Sequence, residues 1–485
     1  MKKINRDYLI SGILFIIIII ICWNFVKGYN AYDTYKMYQL GYVEYAKQLF
    51  FADGRIFSGF YILIAQLFNI FETDLYHFSI ILCDIIIVGN IIYFKNLLVK
   101  ISDKKLNNYL IFILAFITIF NFSFVDNMRF IEMPIISLSI FMYMIAAKKV
   151  VVDKKYIKCL IYLLIAIFMY QGTINVFFIM TIFLVLQKYK TINKQVIIQA
   201  FKILVLSMVP IIINYLYMKI YGNLVVCTER TMINITMLPL KFIDSLINLC
   251  NVLIYSKSVM PEYFYFIMIL INIILLFWIL FKYKEKKIYD IYCSILVILI
   301  FSFLSCLPVI LFFTIEDINS LLSGRLFWAV GAVYGLMMIL IYLNTDIIEK
   351  KTYKLIYIVL ILIYAVVLYS GMNNVMKDDT ETNDIDRNIC FMIKENIELY
   401  EKNNNCKIEK LKIKVDVTTE GLVKDYKEFN KKRSYILSNL PIGNLLDFYC
   451  GMKLDIQYIP EKVIDFKENI DFYYDKDIAY MYMNF

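Results

Sequence analysis

Long apolar blocks constrain this chain more than any other feature. Ile10–Val26 is broken only by Ser11, Gly12 and Asn24. Comparable blocks run through Leu106–Phe124, Ile131–Ala147, Val196–Tyr217, Phe264–Phe281, Ile295–Phe313, Leu326–Leu343 and Leu355–Ser370. A helix of about twenty apolar residues crosses the ~30 Å hydrocarbon layer of a bilayer. The alternating pattern of barrel strands is absent, so the spans are expected to be helical. The chain is 61% hydrophobic and 19% charged. A soluble domain is about half apolar and about a quarter charged. The expected class is therefore an all-α polytopic membrane bundle in the cell membrane.

The opening Met1-Lys2-Lys3-Ile4-Asn5-Arg6 resembles the start of a signal peptide. No small-x-small cleavage site follows, which predicts an uncleaved helix with a cytoplasmic basic end. The net charge of +9 does not indicate nucleic-acid binding, because the basic residues sit in short clusters between the blocks. Ten cysteines form no CxxC, and there is one histidine, His77, so no zinc or haem site is expected. No cofactor is read from the sequence, and a divalent cation is left open.

Basic clusters mark cytoplasmic loops. They fall at Lys2/Lys3/Arg6, Lys95–Lys105, Lys148–Lys158, Lys188–Lys194, Lys282–Lys287 and Lys350–Lys354. If Ile56–Phe71 and Phe78–Tyr93 both crossed, every later cluster would face outward. The segment Arg55–Phe71 is short and carries Ser58, Gly59, Gln66 and Asn69. It is expected to be an interfacial helix within an outer loop, 27–76. About eleven spans follow, near 9–26, 77–97, 106–124, 130–147, 157–170, 172–187, 196–218, 262–281, 289–313, 326–343 and 354–371. The N-terminus is then cytoplasmic and the tail extracytoplasmic.

This arrangement collects charged residues on the outside. The first loop holds Asp33, Lys36, Glu44, Asp53, Arg55, Glu72 and Asp74. Later loops add Asp126, Arg129 and Glu132, then Glu229 and Arg230, then Glu316, Asp317 and Arg325. Charges beside spans are costly and are paired or functional. Residues 1–371 thus form the membrane domain and 372–485 a polar domain, with 17 basic against 21 acidic residues in the tail. The tail is expected to be a small α+β unit. Ile385–Tyr400 and Ile442–Tyr449 read as helices, and Leu411–Val417, Leu454–Ile459 and Asp477–Met483 as strands. A disulfide among Cys390, Cys406 and Cys450 is left open.

The first outer loop carries Tyr32-Asp33-Thr34-Tyr35-Lys36 and then Asp53-Gly54-Arg55. A carboxylate there can take a proton from a hydroxyl. A cation can hold a lipid-linked phosphate as charge builds on it. These units resemble the GT-C superfamily of membrane glycosyltransferases, and within it the bacterial type II O-antigen glucosyltransferase (Gtr) family. That family carries an Asp-Asp-x-x-Arg unit and then an Asp-Gly-Arg unit in its first outer loop. Here Tyr32 replaces the first acid, Asp33 matches the second, and Lys36 replaces the arginine, keeping charge without the bidentate fork. Tyr170-Gln171-Gly172 and Asp386-Arg387 also resemble the family.

The resemblance implies a GT-C-like bundle that moves a sugar, glucose in that family, from a polyprenyl-phosphate donor to a lipid-linked or cell-surface glycan, with inversion. It implies Asp33 as base and Asp53 as a second acid or positioner. Lys36, Arg55, Arg129, Arg325 and Gln171 are its substrate- and phosphate-binding candidates. A flippase and a donor synthase are the implied partners, beside the bilayer itself. Plainer roles stand next to these: Arg55 pairing with Asp53 or capping the surface helix, Arg325 snorkelling to headgroups, and His77 making a local hydrogen bond. No GxxxxGK[ST] or GxGxxG motif supports nucleotide use. A glycan polymerase or ligase, or a transporter using Asp84 or Asp290, are the alternatives.

Overall fold

The computed structural model of the chain describes residues 2–102, 106–190, 194–222, 238–256, 259–283, 286–313, 324–344, 351–416, 442–458, 470–475 and 477–484. The chain folds into a helical bundle followed by a small sheet. Helices α1 (Lys2–Ile21) and α2 (Trp23–Gly28) form the first apolar rod, interrupted at Cys22. Then come α3 (Tyr32–Lys47), a π-helical turn (Gln48–Ala52), α4 (Ile56–Leu67) and α5 (Glu72–Ile101). They are followed by α6 (Asn108–Ile119), the short α7 (Phe124–Asn127), α8 (Met133–Val151), α9 (Tyr156–Met169) and α10 (Ile174–Tyr189). The last group is α11 (Lys194–Tyr221), α12 (Leu238–Tyr255), α13 (Phe264–Tyr283), α14 (Lys286–Phe313), α15 (Trp328–Asn344) and α16 (Lys351–Asn404).

Every apolar segment expected to span falls on one of these helices. Six helical stretches are long and apolar enough to cross a bilayer, lying within α5, α8, α10, α11, α14 and α16, and α10 begins there with the turn at Gln171. The other apolar helices are shorter. At 12 residues, α4 reaches about 18 Å, the same length as α6, so length alone does not set it apart from the shorter helices expected to span. The centre of the bundle is α10 and α15, buried along almost their whole lengths. The periphery keeps an apolar coat: Ile197, Phe201 and Val205 on α11, and Leu355, Val359 and Val366 on α16, are exposed. Such a continuous apolar surface suits lipid rather than water.

Two helices differ from expectation. Helix α12 falls in a stretch read as outer loop. Lys241, Asp244, Ser245, Asn248 and Asn251 recur there at three- and four-residue spacing. A polar stripe of that kind marks a one-sided helix and hides it from a search for apolar blocks. Helix α16 runs unbroken across residue 371, so the last apolar block and the expected helix at 385–400 are one 54-residue rod. No proline interrupts it, and the pattern changes from apolar all round to one-sided.

That one-sided half packs on a four-stranded sheet of order β2-β1-β4-β3. The strands are β1 (Lys410–Asp416), β2 (Asp455–Tyr458), β3 (Ile470–Asp475) and β4 (Ile478–Asn484). β1 runs parallel to β2 and β4, and β3 antiparallel to β4. Strand β3 was not expected from the sequence. Leu411 and Ile413 pair with Ala479 and Met481 in register, so alternate residues turn one apolar face inward. Ile389, Ile393 and Ile397 of α16 and Leu445 and Leu446 of α17 (Ile442–Cys450) close the core over it. Cys390, Cys406 and Cys450 are free thiols.

Candidate functional site

The Asp53-Gly54-Arg55 turn follows the π-helical turn and is held from three sides. The Arg55 N–H donates to the Leu49 carbonyl at 2.8 Å. Gln171 Nε2 donates to the Asp53 carbonyl at 2.8 Å, and Asn214 Nδ2 to the Gly54 carbonyl at 3.1 Å. Gly54 has a φ of +63°, and a Cβ there would lie 2.7 Å from Met218 Cγ. Both the backbone region and the close packing therefore call for glycine.

Arg55 is buried, and its Nη1 lies 2.5 Å from Glu132 Oε1 and 3.8 Å from Asp53 Oδ2. Its guanidinium stacks over the Tyr170 ring at 4.8 Å. Arg55 Nε is buried without a hydrogen-bond partner. Burial opposes the Arg55 charge, but Asp53 and Glu132 more than offset it and raise the pKa above its ordinary value. The Tyr45 hydroxyl donates to the second oxygen of Glu132 at 3.3 Å. Burial raises the Tyr45 pKa well above the ordinary tyrosine value, and the charges of Asp33, Glu132 and Asp53 push it further. One hydroxyl thus feels Asp33, Asp53, Glu132 and Arg55 together. Two carboxylates, Asp53 and Glu132, face the one guanidinium.

A second ion-pair group lies between the α7–α8 connection and α16. Arg129 donates from Nε to Asp379 Oδ2 at 2.7 Å and from Nη1 to Asp126. Both aspartates are buried. The group ties the α7–α8 connection to the helix that leads into the sheet.

The candidates are therefore distributed as follows. Asp53 and Arg55 share one cluster, Asp33 acts on the same hydroxyl, and Gln171 braces the turn through its backbone. Arg129 belongs to the second group. Lys36 lies three residues past Asp33 on α3, half-buried, and enters neither ion-pair group. His77 packs edge-on against Tyr76. Arg325 falls in the turn Gly324–Phe327, with its side chain outside the described residues, as are Glu229, Arg230, Glu316 and Asp317. Glu132, Tyr45 and Asp379 were not singled out as site residues by sequence. In the sequence Glu132 reads only as a charge beside a span, and no local pattern marks it as buried against Arg55. Among the described residues no cluster of three or more His, Cys, Asp or Glu could hold a metal ion.

No family model matches the chain, and neither a curated protein nor a solved structure matches it.

Proposed function

We propose that the protein is a multispanning membrane glycosyltransferase that moves a sugar from a polyprenyl-phosphate donor to a lipid-linked or cell-surface glycan. The observation that carries this reading is the buried cluster in which Arg55 faces Glu132 and Asp53 and Tyr45 donates to Glu132, with the charge of Asp33 also acting on the Tyr45 hydroxyl. Asp53 of the second acidic unit lies at this cluster, and Asp33 of the first unit adds its charge to the field at Tyr45. In this reading Asp33 takes the proton of the acceptor hydroxyl as its oxygen bonds to the anomeric carbon. The bond from that carbon to the donor phosphate breaks, and polyprenyl phosphate leaves with the electron pair. Arg55 already carries Glu132 on Nη1, so Nε is the buried donor left for a phosphate oxygen. Asp53 and Glu132 hold the guanidinium in place.

The eleven-span arrangement with a cytoplasmic N-terminus and an extracytoplasmic tail belongs to the same proposal. Its support is that Tyr35, from the first loop, is part of the core of the sheet domain. Loop and tail must then share one side of the bilayer. The test is reconstitution in nanodiscs with a labelled polyprenyl-phosphate glucose and membrane glycan acceptors. Sugar incorporation from the lipid donor, and none from a nucleotide sugar, is expected. The opposite preference would refute the reading.

One observation favours a second reading, a transporter. Asp84 is fully buried within α5, and neither carboxyl oxygen makes a hydrogen bond. Ionisable groups inside a bundle often mark ion pathways.

A further inference from the structure

Helix α3 is two half-helices joined at Gly41, whose φ of 75° and ψ of 162° leave helical space. The hydrogen-bond ladder cannot run unbroken through such a residue, so rotation of one half is not dictated by the other. The second half belongs to the bundle, because Tyr45 is buried and bonded to Glu132. The first half carries Asp33 and Tyr35. Tyr35 is buried in the core of the sheet domain beside Ile389, Ile393 and Leu445. Its hydroxyl lies 2.6 Å from that of Tyr449, and its ring meets Phe448 edge-on at 5.0 Å. Just ahead of the half-helix, the Asn30 N–H donates to Asn383 Oδ1 of α16 at 2.8 Å. Residues 33 and 35 lie about 200° apart around a helix axis. The face turned away from the tail therefore carries Asp33.

We propose that the C-terminal domain sets the rotation of this half-helix, so that Tyr35 and Tyr449 are positioning residues for Asp33 and Gly41 is the joint. The proposal rests on Asp33 acting as the base. A rotation of about 20° would move a carboxylate ~6 Å from the helix axis by about 2 Å. A misplacement of about 1 Å can cost roughly 100-fold in rate. Tyr449 thus bears on the rate through the orientation of Asp33.

The test uses the full chain in nanodiscs. Tyr449→Phe and Tyr35→Phe keep the rings and remove the hydroxyl contact. Each is expected to lower kcat about 10- to 100-fold with the donor KM within about twofold. Tyr473→Phe, at an exposed ring on the sheet, is expected to leave both unchanged. A second readout does not depend on activity. A trifluoromethyl probe on Asp33→Cys should show a shifted or split fluorine line when Tyr449→Phe is added. An unchanged fluorine line overturns the proposal, as does a kcat within twofold of wild type in both tyrosine variants. A wild-type protein that transfers no sugar would refute the sugar-transfer reading, and the fluorine line would still decide whether the tail positions residue 33.

Discussion

Removing Glu132 tests whether the buried arginine depends on it. Two carboxylates face Arg55 Nη1, at 2.5 Å for Glu132 and 3.8 Å for Asp53. At an effective dielectric of about 20 their gross attractions are about 6.6 and about 4.4 kcal/mol. Glu132 is the stronger partner, but Asp53 would keep part of the compensation. Breaking a buried pair by removing one partner costs about 3–5 kcal/mol. With Asp53 in place, Glu132→Ala should fall at the low end, about 3 kcal/mol. Unfolding entropy of roughly 2.1 cal/mol/K per residue over 485 residues makes about 1 kcal/mol per degree, so Tm should drop by about 3 °C. Heating in detergent micelles at one scan rate, with Arg55→Met and the double variant beside it, gives the coupling. A coupling of about 2 kcal/mol or more is expected. Additive effects within about 0.5 kcal/mol would refute the view that the pair holds the site together.

Three further outcomes follow from the same geometry. Gly54→Ala must hold a left-handed residue, at about 1–2 kcal/mol, and crowd Met218, at about 1–3 kcal/mol, so thermal unfolding should show a loss of about 2–5 kcal/mol. Asp84→Asn keeps shape in a buried site and should leave sugar transfer within about twofold and stability within about 1 kcal/mol; a tenfold loss of transfer would favour the transporter reading. Cysteine labelling from either side of the membrane should find a residue placed at Lys407 reachable from outside and one at Lys100 from the cytoplasm, and the reverse for Lys407 would sink the eleven-span arrangement.

The bundle was legible because a bilayer imposes composition over about twenty residues at a time, as in Ile10–Val26. What escaped depends on pairing across the chain. Arg55 and Glu132 are separated by 77 positions, and Tyr35 and Tyr449 by 414. No local pattern announces either contact. Helix α12 escaped because its polar stripe breaks the apolar run. The continuity of α16 escaped because its two halves bury different faces, one in lipid and one against the sheet. Asp33 and Asp53 were visible as acids in one loop, whereas the placing of Asp53 beside Arg55 depends on the left-handed turn at Gly54.

Turnover by Asp33→Asn in the nanodisc assay tests the central claim most directly. The amide keeps the size of the side chain but cannot accept the acceptor's proton. Loss of a general base costs about 10²–10⁴-fold, so incorporation from the polyprenyl-phosphate donor should fall by that factor while donor binding persists. Near-normal turnover by Asp33→Asn together with loss in Asp53→Asn would move the base to Asp53. Full activity in both variants would contradict the account, because the first loop would then be structural.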